Sequence, residues 1–114
     1  MNLDSLATAI MQTSSDPVAL KLSELLFKWK NDESNVKELE IQVARYIGNA
    51  CIIDTAEHEK IYRLWSQFLG DAMHEIGGMT MNERLYCFSL FPRFENATTD
   101  QERKSIYAKL LGMP

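Results

Sequence analysis

The stretch Asp54-Thr-Ala-Glu-His-Glu-Lys-Ile-Tyr-Arg-Leu-Trp-Ser-Gln-Phe-Leu-Gly-Asp-Ala-Met-His-Glu-Ile76 decides the fold class. Ile61, Leu64, Trp65, Phe68, Ala72 and Ile76 recur at steps of three and four, which is one stripe of a helix. Tyr62, Leu69 and Met73 widen that stripe to about half the circumference, at roughly 100° per residue. A helix apolar over half its surface needs more than one neighbour. The pattern therefore predicts a central amphipathic helix over about 55–76, with the rest of the chain packed around it. Asp54 is placed to cap it with Glu57 three residues on, and Gly77-Gly78 to end it through a left-handed C′ conformation.

Upstream, Leu3, Leu6, Ala7, Ile10 and Met11 mark a first short helix. Asp16 followed by Pro17 starts a second, because the missing proline N–H is not needed in a first turn. That helix carries Val18, Leu22, Leu25, Leu26 and Trp29 on one side and Leu20 with Phe27 on the other. Asn35 and Glu38 stand at capping-box spacing before a third helix of Val36, Leu39, Val43, Tyr46, Ile47 and Ala50. Gly48 within it suggests a close helix contact or a bend.

Downstream, Thr80 and Glu83 form a capping box for a fifth helix bearing Leu85, Phe88 and, on its flanks, Tyr86 and Leu90. Pro92 disfavours helical geometry at Phe91, so residues 91–98 read as an irregular connection. Thr99 with Glu102 opens a last helix of Ile106, Tyr107, Leu110 and Leu111, ended by Gly112 and Pro114. The expectation is an all-α single domain over residues 1–114, of five or six helices with short connections.

Composition agrees with that class. The 114 residues include only five glycines and three prolines, too few turn-formers for a many-stranded fold. No basic residue precedes Lys21, no secretory pattern is seen, and no run approaches the ~20 apolar residues needed to span a bilayer. Cys51 and Cys87 have no metal or redox spacing and read as buried reduced thiols. Together these predict a cytoplasmic protein with no membrane contact.

Motifs of catalysis are not seen. Asp71 and His74 share a helix face, but a di-metal helix site needs two Glu-x-x-His elements. Asp54 with His58 is similarly isolated. No serine lies in a Gly-x-Ser-x-Gly elbow, and Gly77-Gly78 lacks the Lys-Ser or Lys-Thr of a phosphate loop. The reading is of a non-enzyme with no cofactor and no metal. Arg103, Lys104 and Lys109 make a modest basic cluster, but a chain of net charge −4 is poorly suited to phosphate neutralisation, so no nucleic-acid partner is expected.

Charge is unevenly placed. Residues 1–30 balance, residues 31–59 carry −5 and residues 60–114 carry +1. Such a segment either keeps the chain soluble or docks a basic partner. The sequence expectation is a non-catalytic protein-binding domain of the immunity or antitoxin type, neutralising a basic, nuclease-like toxin. Asp32, Glu33, Glu38, Glu40, Glu57 and Glu59 are the candidate contacts, with Phe27 as an aromatic anchor. Phe91 and Phe94 are also less well placed for a core. The alternative is a homo-oligomeric structural or regulatory protein joined through the Leu20–Phe27 ridge, and the third reading is a small enzyme.

Overall fold

Six side chains close the first turns of the helices, and they set where the chain changes direction. A computed structural model describes residues 1–49 and 54–112. Among these residues the chain forms seven α-helices: α1 Leu3–Thr13, α2 Pro17–Trp29, α3 Val36–Asn49, α4 Thr55–Phe68, α5 Met81–Cys87, α6 Phe91–Glu95 and α7 Asp100–Lys109. No strand is present among them. Asn2, Asp16, Asn35, Asp54, Thr80 and Thr99 each accept an N–H from the turn they precede, at 2.8–3.2 Å. Thr80 and Glu83 complete their box reciprocally. At α7 the Glu102 carboxylate instead accepts from Thr98 N–H, one residue earlier than expected.

The helix of the opening stretch is less uniform than its periodicity predicts. α-Geometry stops at Phe68 and passes into a π-helical turn, Leu69–Met73, then a 3-10 turn, Ile76–Gly78. His74 N–H bonds to Leu69 C=O across five residues, in a turn that contains Gly70. No glycine takes positive φ among the described residues, so Gly77-Gly78 does not end the helix by a left-handed cap. That conformation falls on Ser89 (φ 56) and Leu111 (φ 59). Leu90 N–H bonds to Leu85 C=O, and Gly112 N–H to Tyr107 C=O. Both are Schellman closures with a non-glycine at C′.

A further short helix, α6, occupies the segment expected to be irregular. Ser89 ends α5, and Pro92 then sits in the first turn of α6, where its lack of an N–H costs nothing. Ala50, Cys51, Ile52 and Ile53 lie outside the described residues, so the expectations for Ala50 and Cys51 are not addressed. Among the described residues nothing packs against Gly48, so no close helix contact is seen there, and α3 runs past it to Asn49.

Burial follows the predicted stripes. Leu3, Leu6, Ala7 and Ile10 of α1 are at most 1% exposed, and α1 lies against both α2 and α4. Ser23 Oγ donates to Ala7 C=O at 3.0 Å, drawing α1 and α2 together. Ile61, Trp65 and Phe68 of α4 face inward, but Tyr62 is 55% exposed and Leu64 half-buried, so the covered stripe is narrower than predicted. Tyr86 and Met11 also point outward. The end of α4 feeds an aromatic run. Trp65 meets Phe68 at 6.0 Å, Phe68 meets Phe88 edge-on at 5.6 Å, and Phe88 meets Trp29 at 5.8 Å. Such pairs contribute beyond their buried area. Phe91 and Phe94 are half-buried against this core, Phe94 alongside Tyr107 at 5.7 Å. The molecule is elongated, 46 × 25 × 21 Å.

Candidate functional site

The acidic residues divide into two groups. Asp32 and Glu33 lie in the loop between α2 and α3, and this loop is gripped from α2, α6 and α7. Trp29 Nε1–H donates to Asn35 C=O at 3.1 Å. Arg93 donates to the carbonyls of Lys30 and Asp32 at 2.8 and 3.1 Å, and to the Glu33 carboxylate at 3.3 Å. Lys109 is only 3% exposed. Its ammonium donates to Asp32 C=O, Asp32 Oδ1 and Ser34 C=O at 2.8, 2.9 and 2.6 Å, and it stands 4.0 Å from the Trp29 ring centroid. Three donors meet three acceptors, and the aromatic face takes the remaining exposure to charge.

Electrostatics matches that geometry. Partial burial works against the Asp32 carboxylate, but hydrogen bonds from Lys109 and from the Ser34 N–H outweigh it and hold its carboxyl below the ordinary value. Burial pushes Lys109 the other way, below the ordinary lysine value, with Asp32 opposing. Ser105 Oγ donates to the second Glu33 oxygen at 3.3 Å. A cleft of about 280 Å³ beside Arg93 is lined by Glu33, Arg93 and Ser105, together with Gln101, Glu102 and Ile106.

The second group has no described ion pair to another element. Glu38 is exposed and accepts the Asn35 N–H at 3.4 Å as part of its cap. Glu40 and Glu57 are half-buried on the flanks of α3 and α4, and neither forms an ion pair with a described cation. Glu59 is exposed and pairs with Arg63 on its own helix at 3.5 Å. Residues two apart on a helix are separated by about 200°, so Glu38 and Glu40 point to different sides, as do Glu57 and Glu59. The six carboxylates therefore do not form one continuous face.

The segment imbalance also softens in three dimensions. Asp32–Lys109, Glu33–Arg93 and Glu59–Arg63 each join an acid of residues 31–59 to a base of residues 60–114. Setting those three pairs aside leaves each of the two segments at −2 rather than −5 and +1. Sequence spacing gave little warning of this. The one available signal was that Lys109 lies three residues after Ile106 and beside Leu110, on the buried stripe of α7.

The remaining candidates are placed plainly. Phe27 is half-buried with the Lys30 ammonium 5.4 Å from its ring centroid, and Lys30 in turn pairs with Asp4. Leu20 on the same ridge is 49% exposed. Asp71 and His74 are both exposed, and among the described residues no three His, Cys, Asp or Glu side chains converge as metal ligands would. His58 edges a small apolar gap between Tyr46 and Ile61. Cys87 is half-buried, and burial raises its thiol above the ordinary value. No described helix is long and apolar enough to cross a membrane. No family model matches this chain, nor does any curated protein or solved structure.

Proposed function

We propose that this chain is a non-catalytic protein-binding domain that engages a basic protein, in the manner of an immunity protein or antitoxin blocking a nuclease-like toxin. The observation that carries this reading is the division among its carboxylates. Asp32 is consumed in holding the α2–α3 loop through buried Lys109, and exposed Glu33 has a surface tie to Arg93, whereas Glu38, Glu40 and Glu57 have no described cation partner. Surface carboxylates of this kind steer a cationic partner and raise its association rate. Glu59 belongs to the same surface set, weakly tied to Arg63.

The test is co-expression with the product of the adjacent reading frame, followed by association kinetics at two salt concentrations. A cationic product that arrests growth alone and is silenced by this chain supports the reading. Because Glu38 and Glu40 point apart, Glu38→Lys and Glu40→Lys should slow association unequally, and salt should slow the wild type. Binding indifferent to salt and to both reversals sinks the acidic-surface reading. Self-association is the second reading, favoured by the exposure of Leu20 beside Phe27. A monomer by light scattering at high concentration would remove it.

A further inference from the structure

Tyr46 of α3 reaches across to α2, where its hydroxyl donates to Val18 C=O at 2.7 Å. Burial, with Asp16 and Glu24 nearby, raises its phenol above the ordinary value and keeps it a donor. This bridge floors an open groove between the two helices. Two adjoining hollows, of about 610 and 590 Å³, share Lys21, Leu25 and Gln42. The floor is apolar, built of Val18, Leu25 and the Tyr46 ring, all only half-buried. Lys21, Lys28 and Arg45 line its sides.

The charges around the groove are unequally engaged. None of Lys21, Lys28 and Arg45 has a described carboxylate within ion-pair distance. Of the two acids that line the groove, Asp32 is tied to Lys109, which leaves Glu24 against three cations. We infer that the α2–α3 groove docks an acidic amphipathic helical segment of a partner protein, with two or three apolar side chains on the Val18–Leu25–Tyr46 floor and carboxylates against Lys21, Lys28 and Arg45. From Val18 to Lys28 is ten residues, or ~15 Å of helix, which accommodates a segment read at i, i+3 or i+4, and i+7. This surface is distinct in sign from the carboxylates of the proposed toxin contact, so it stands or falls independently of that reading.

The experiment is a selection of random 16-residue peptides displayed against the immobilised full chain. Winners are then measured on wild type, on Lys21→Glu/Arg45→Glu, and on Lys104→Glu as an off-groove control. All three substitutions are at exposed positions, so circular dichroism should confirm unchanged folding. The inference expects winners rich in Asp and Glu with helical apolar spacing. They should weaken at least tenfold on the groove variant, keep their affinity on the control, and weaken with salt. It is overturned if no peptide is enriched, if the winners are basic or uncharged, or if they bind the groove variant as tightly as the wild type.

Discussion

The α2–α3 loop and the far ends of α3 and α4 are opposites in how they are held. The loop is polar and irregular, yet Trp29, Arg93 and Lys109 fix four of its carbonyls and two of its carboxylates. The second half of α3 and the first turns of α4 are regular helix, yet from Ala44 to Lys60 no described residue is buried. Tyr46 to Val18 is the one long-range hydrogen bond among the described residues there. Regular secondary structure is thus no measure of local stability. Buried contacts and cross-chain hydrogen bonds decide it.

The widest contrast should appear in amide hydrogen exchange. Amides of α1 and α2 should open only with global unfolding, expected at about 5–15 kcal/mol for a domain. Amides of residues 45–49 and 58–60 should exchange through local openings of far lower free energy. Equal protection of these two sets of amides would show that buried contacts do not decide local stability here.

Core truncation comes next. Trp29→Ala and Phe68→Ala should each cost about 3–5 kcal/mol in denaturant unfolding, since both side chains are at most 2% exposed within the aromatic run. A cost below about 1 kcal/mol for both would show that this run is not the core.

Two polar substitutions sharpen the contrast. Lys109→Met takes the ammonium from the Asp32 carboxylate and leaves Ser34 C=O without its donor, while Asp32 C=O keeps Arg93; it should cost about 3 kcal/mol, toward the low end for a broken buried pair because Asp32 is partly wetted. Tyr46→Phe removes one neutral bond at the loose end and should cost about 1 kcal/mol. The reverse ranking would contradict the account.

Acid titration gives a smaller effect of defined sign. Asp32 has a lowered carboxyl value in the folded state, so the folded chain binds that proton less readily than the unfolded chain. The stability it contributes is present above the ordinary carboxyl value of about 4 and is lost as pH falls through the lowered folded value. Asp32→Asn should flatten that acid limb of the stability curve. A limb of unchanged slope would place the acid sensitivity elsewhere.

Local chemistry was readable in advance, and long-range chemistry was not. The caps at Asp16, Asn35, Asp54, Thr80 and Thr99 depend on residues two or three apart, so spacing reveals them. The end of α4 did not follow its periodicity, because hydrophobic spacing cannot separate an α turn from the π turn at Leu69–Met73. Lys109 read as part of a modest basic cluster, and a lysine is rarely buried unless paired. Its partner Asp32 is far away in sequence. For the same reason spacing did not say which acids share a face: Asp32 is tied to α7 and exposed Glu33 to Arg93 of α6, while Glu38, Glu40 and Glu57 pair with no described cation.

That division of the acids is the central claim, and paired unfolding measurements on Asp32→Ala and Glu40→Lys test it most directly. Asp32→Ala leaves the buried Lys109 ammonium without its carboxylate, with two loop carbonyls still accepting from it, and should cost at least about 3 kcal/mol. Glu40→Lys removes no described ion pair or hydrogen bond and should stay within about 0.5 kcal/mol of wild type. If Asp32→Ala is neutral, or Glu40→Lys destabilises as much, the acids do not divide between structure and surface.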